Sequence, residues 1–159
     1  MDIYISNLTD ICNKSDLLGK LTPEQCARYQ SFARQLRADQ FLCAHSIAND
    51  LEKQFQYISI SHKDNWVIVV GANIPVGVDI ENAAKKRNFA PMGAFLGVGG
   101  ISTDDEFYRA FTAAEARYKM QPAIPTVTRF YKLGDYMICL ATAGDDLPRF
   151  IGAIPEQIQ

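Results

Sequence analysis

The sequence predicts a single α+β domain, on three observations. Short runs that alternate apolar and polar residues, or are wholly apolar, read as strands at the start of the chain, across 57–81 and across 126–141. Good helix formers fill 22–52 and 103–120. The 159 residues suit one domain with a real core, and they contain no internal repeat visible by spacing, no low-complexity tract and no linker between independent units.

In order, Met1 to Ser6 sets Ile3 and Ile5 against Asp2, Tyr4 and Ser6, a first strand. Thr22-Pro23-Glu24-Gln25 has the form of a helix start, with threonine as cap and proline in the first turn. Two helices are expected up to Glu52, broken near Arg37-Ala38-Asp39. Phe41, Leu42, Ala44, Ile47, Ala48 and Leu51 form a core-facing stripe on the second. Tyr57 to His62 and Trp66 to Val70 read as strands joined by a Lys63-Asp64-Asn65 turn. Val76-Gly77-Val78-Asp79-Ile80-Glu81 is a buried strand ending in two carboxylates. The glycine-rich stretch 88–103 is a connection, since it lacks the Lys-Ser/Thr of a phosphate-binding P-loop. A helix then opens at Ser102 or Thr103, with three acids in its first turn, and ends before Pro122 and Pro125. Thr126 to Ala141 is a hairpin turning at Leu133-Gly134-Asp135, followed by loop and one short strand.

Composition excludes several function classes. A formal charge of −2 gives no broad basic surface for nucleic acid and no reason to seek an anionic membrane. No apolar run is long enough to span a bilayer. The N-terminus lacks the basic and apolar regions of a signal peptide, and Cys12, Cys26, Cys43 and Cys139 are scattered. Reduced thiols in a cytoplasmic protein are therefore expected.

The chemistry-bearing residues fall in three places. Asp79 and Glu81 lie two apart on one strand, hence on one face, where two carboxylates call for a cation or a shared proton. Glu115 and Lys119 lie four apart on one helix face. Ser61-His62 ends a strand. Each alone has a plainer reading: an exposed strand end, a surface ion pair, a turn histidine. Together they could hold Mg²⁺ and phosphate, because Mg²⁺ needs only one or two carboxylates and takes its other ligands from water and phosphate oxygens. His45 reads as a helix-face residue without a role, and nothing resembling a nucleophile elbow supports a hydrolytic triad.

These pieces resemble, in order, the motifs of the 4′-phosphopantetheinyl transferase superfamily, the Sfp-like holo-acyl-carrier-protein synthases. Ile58 to His62 with Trp66-Val67 is similar to the family's Ser-His strand, Val76 to Glu81 to its Gly-Ile/Val-Asp-Ile-Glu strand, and Phe111 to Lys119 to its Lys-Glu-x-x-x-Lys helix. Gln40 to Ile47 resembles the helix of the family's first half, and the hairpin through Tyr131 to Tyr136 also fits. The resemblance implies one domain over 1–159, made of two similar halves related by a pseudo-twofold (approximately 1–62 and 63–159), with small antiparallel sheets and a cleft between them. It implies that Asp79, Glu81 and Glu115 bind Mg²⁺ with the pyrophosphate of coenzyme A, that Lys119 contacts that pyrophosphate, and that Ser61 and His62 help hold the coenzyme's phosphates. A serine of an acyl or peptidyl carrier protein would attack the β-phosphate, with Glu115 or a metal-bound water assisting its deprotonation and Lys119 stabilising charge. Adenosine 3′,5′-bisphosphate would leave. A monomer would suffice.

The chain departs from the family pattern at several points. Ala114 replaces a lysine, Phe111 a tryptophan and Lys63 a serine; Gln40, His45 and Asn49 stand where basic residues are usual. A Gly-Lys-Pro hairpin before the Ser-His strand is missing, and no acid lies between Glu81 and Asp104. Two further readings therefore accompany transfer: a catalytically inactive family member acting as a binding protein, and a Mg²⁺-dependent enzyme acting on another pyrophosphate-containing substrate. Lys85, Lys86 and Arg87 are candidates for docking an acidic carrier, or else a solvated charge run.

Overall fold

The protein is α+β. A computed structural model describes residues 1–86, 101–120 and 126–158. Its strands are β1 (Asp2–Asn7), β2 (Tyr57–Lys63), β3 (Trp66–Ala72), β4 (Val76–Asn82), β5 (Val127–Leu133), β6 (Tyr136–Thr142), β7 (Arg149–Gly152) and β8 (Glu156–Ile158). The helices are α1 (Lys14–Leu18), α2 (Pro23–Gln30), α3 (Gln35–Leu51) and α4 (Asp104–Lys119). Among the described residues no helix is long and apolar enough to cross a membrane.

Local sequence explains most boundaries. Thr22 caps α2 and Thr103 caps α4, each in a reciprocal capping box, with Gln25 and Glu106 respectively as the third helical residue. The break between α2 and α3 falls at 31–34, not near Arg37 to Asp39 as the sequence suggested. Arg34 takes an extended conformation, and Phe32 turns back to pack on the Phe41 ring, with centroids 5.3 Å apart. That aromatic contact ends the first helix earlier than propensity alone would. Gly134 at φ 57° makes the β5–β6 turn. The tail forms two strands rather than one: β7 lies parallel to β1, and β8 lies antiparallel to β5. Most of the glycine-rich connection, and Pro122 and Pro125, lie outside the described residues.

Strand order is β2-β3-β1-β7 in one sheet and β4-β6-β5-β8 in the other. Read along the chain, β1–α3–β2–β3 and β4–α4–β5–β6 have the same topology: strand, helix, then a hairpin whose second strand pairs with the opening strand. The two units meet in the connection 73–75, so β3 belongs with the first and a division at 62/63 would cut the β2–β3 hairpin.

Alternation on the strands builds the layers. Ile3, Ile5, Ile68 and Val70 of one sheet pack on Val78, Ile80, Ile138 and Leu140 of the other. The outer faces take the helices. Ala44, Ala48 and Leu51 of α3 cover Val67 and Val69, while Ala113, Ala116 and Met120 around α4 cover Cys139 and Ala141. Gly77 is what lets α4 sit so low. A Cβ there would fall far inside van der Waals contact with the Ala116 carbonyl oxygen and 3.0 Å from the Met120 amide nitrogen.

Candidate functional site at the junction of the two sheets

β2 and β4 are each the last strand of their sheets, and they lie side by side. The odd-numbered residues of β2 point at β4, and those of β4 lie on the α4 face. Ser61, Asp79 and Lys119 meet there. Asp79 Oδ1 accepts hydrogen bonds from Ser61 Oγ at 2.9 Å and Lys119 Nζ at 2.7 Å. Lys119 Nζ also donates to Ser61 Oγ at 3.1 Å and to the Val78 carbonyl at 3.2 Å. All three ammonium protons thus have protein acceptors. Farther along, Lys63 Nζ lies 2.6 Å from Glu81 Oε2, with both side chains largely buried.

Asp79 is 6% exposed, and its second oxygen, Oδ2, is buried without a hydrogen-bond partner among the described residues. Burial pushes its carboxyl above the ordinary value; the Lys119 charge and the bonds from Lys119 and Ser61 pull it down, but by less. The folded protein therefore takes up a proton at Asp79 more readily than the unfolded chain does. Its contribution to stability falls as pH rises from the ordinary carboxylate range through the folded value. Asp79→Asn should remove this slope: denaturant titrations from about pH 4 to pH 7 are expected to show wild type losing stability relative to the variant as pH rises. A constant difference across that range would contradict it.

His62 is separated from this cluster by the alternation of β2. Its ring lies on the α3 side, with Arg37 NH1 3.2 Å from Nδ1 and 3.4 Å from Nε2. Burial first, and then the Arg37 charge, hold its pKa below the usual imidazole value. Glu115 is half-buried one turn before Lys119 and makes no hydrogen bond or ion pair with the described residues. Among those residues no group of three or more His, Cys, Asp and Glu side chains is placed to hold a metal ion. Asp79, Glu81 and Glu115 are thus not assembled into a three-carboxylate cage. Asp79 and Glu81 alone, with the orphaned Oδ2 on a face they share, still fit a Mg²⁺ whose remaining ligands come from water and phosphate.

The three positions that replace basic residues have structural partners. Gln40 Nε2 donates to the Asp64 carbonyl at 2.7 Å, and its Oε1 accepts from Arg37. Asn49 Nδ2 donates to the Lys20 carbonyl and to Gln25 Oε1, and His45 lies against the Phe41 ring and the Gln25 amide. Lys85 pairs with Asp64 at 3.0 Å, Lys86 is exposed, and Arg87 lies outside the described residues. Asp64, at φ 49°, also accepts from Asn82 Nδ2 and the Tyr136 hydroxyl, tying the β2–β3 turn to the second sheet. All four cysteines are free, and burial pushes the Cys43 and Cys139 thiols up to about 11 and about 12, too high for a nucleophile at neutral pH.

Sequence reasoning missed Ser59, Arg37 and the pairing role of Lys63. The signal for Ser59 was present: two serines at alternate positions of a buried strand leave room for a backbone to approach.

No protein-family model matches the chain, and no curated protein matches it. The functional reading therefore rests on the geometry and on the motif resemblance.

Proposed function

We propose that the protein is a Mg²⁺-dependent 4′-phosphopantetheinyl transferase, moving phosphopantetheine from coenzyme A to a serine of an acyl or peptidyl carrier protein. The observation that carries this reading is the convergence of three segments far apart in sequence. Ser61 of β2, Asp79 of β4 and Lys119 of α4 form one hydrogen-bonded cluster where two topologically equivalent halves meet. Asp79 and Glu81 would hold Mg²⁺, which when bound neutralises pyrophosphate charge. Lys119 and Lys63, the cations already beside those carboxylates, orient the anionic coenzyme and favour charge developing on the leaving adenosine 3′,5′-bisphosphate. Glu115 takes the proton from the attacking serine hydroxyl.

The test is to incubate the protein with coenzyme A, Mg²⁺ and an apo carrier protein and to weigh the carrier by mass spectrometry. A gain of one phosphopantetheine group is expected, and Glu115→Ala should lower its rate by at least about a hundredfold. Full activity in that variant would move the base elsewhere. No gain with any of several carriers, together with no heat of coenzyme A binding, would end the transferase reading.

One observation favours a second reading, a family member that binds without transferring. Lys119 spends all its donors on Ser61, Val78 and Asp79, and Lys63 is committed to Glu81. Coenzyme A binding by calorimetry with no carrier modification would select it.

A further inference from the structure

We infer that Ser59 and Ser61 act together as positioning residues, a hydroxyl clasp that fixes the carboxylate strand against β2, and that Ser61 is not itself a phosphate ligand. β4 is the edge of its sheet among the described residues, so the N–H and C=O groups of Val78 and Ile80 that face away from β6 have no described strand to pair with. Both residues are almost wholly buried, at 0% and 1% exposure, so water does not serve these groups. An unpaired amide in such a place is costly. Side chains of β2 and α4 take the place of a strand. Ser59 Oγ accepts from the Val78 amide at 3.0 Å and Ser61 Oγ from the Ile80 amide at 3.3 Å, while Lys119 donates to the Val78 carbonyl.

The Ser61 hydroxyl has one proton and two lone pairs. The proton goes to Asp79 Oδ1, and the lone pairs take the Ile80 amide and the Lys119 ammonium. Nothing is left for a phosphate oxygen. Ser59 touches neither carboxylate; it acts through the backbone of Val78, the residue before Asp79. Both serines are buried and small enough for the two backbones to come within side-chain reach. Both carboxylates of the site therefore inherit their position from two hydroxyls on the neighbouring strand.

The clasp stands on its own geometry, and only its effect on turnover rests on the transferase reading. Amide hydrogen exchange by NMR on the full chain tests it. Ser59→Ala should speed exchange at Val78 roughly 10- to 100-fold with Ile80 little changed, and Ser61→Ala should do the reverse. Ser59→Cys and Ser61→Cys fill the site with a slightly larger group that lacks a strong acceptor, so each should deprotect its amide as the alanine variant does. In the transfer assay Ser59→Ala should lower kcat roughly tenfold with KM for coenzyme A unchanged, because a positioning residue displaces the reacting groups without touching substrate. Unchanged exchange at both amides, protection preserved by cysteine, or acceleration spread evenly over the second sheet would overturn the clasp. If wild type transfers nothing, the exchange data still decide the clasp, and only the proposed function falls.

Discussion

Asp79→Asn is expected to lower phosphopantetheine transfer by at least about a hundredfold while leaving the protein folded. The substitution keeps the shape of the side chain, and the amide oxygen can still accept from Ser61 and Lys119. What disappears is the charge, and with it the carboxylate that balances Lys119 and would face a cation through Oδ2. Because burial disfavours that charge in the folded state, its loss should not unfold the chain. Mass spectrometry of the carrier, with circular dichroism for the fold, separates the two effects. A folded variant retaining wild-type rates would show that Asp79 is a structural acid and that the site lies elsewhere.

Gly77→Ala should be strongly destabilising, costing about 3 kcal/mol. Its Cβ would meet the Ala116 carbonyl oxygen, with the Ala116 carbonyl carbon at 2.9 Å and the Met120 amide nitrogen at 3.0 Å. All three are backbone atoms of α4 or its C-cap, which cannot rotate away as a side chain can, so the end of α4 must lift from β4. Lys119 travels with that helix end, and its bonds to Val78, Asp79 and Ser61 should loosen together. Thermal denaturation reads the stability loss. A fall of less than about 1 kcal/mol would mean that α4 rides higher on the sheet in solution.

The elements that are legible in the sequence are those with local causes. Threonine caps, alternation on the strands and the glycine turn at 134 act over a few residues, and the structure follows them. The α2–α3 break was misplaced because a contact between Phe32 and Phe41, nine residues apart, decided it. β7 was not foreseen because its partner is the first strand of the chain, and pairing over that distance leaves no local trace. At the site, spacing brought Asp79 and Glu81 to one face correctly. It could not say that Lys119 would turn onto Asp79, that Lys63 would take Glu81, or that His62 would face Arg37 on the other side of its strand. Those outcomes depend on which sheet edges meet, and edges are set by topology.

The return of β7 to the first sheet has a mechanical consequence. β1 and β7 run parallel, joined from the Arg149 amide on the Met1 carbonyl to the Ala153 amide on the Ile5 carbonyl, with the Asp2–Arg149 pair at one end. Tension applied before β1 and after β7 would pull these strands past each other along their length. Their bonds would share the load in shear instead of opening one at a time. The second unit is thereby strapped to the first at the sheet edge farthest from β2, so the β2–β4 junction is relieved of carrying that load alone.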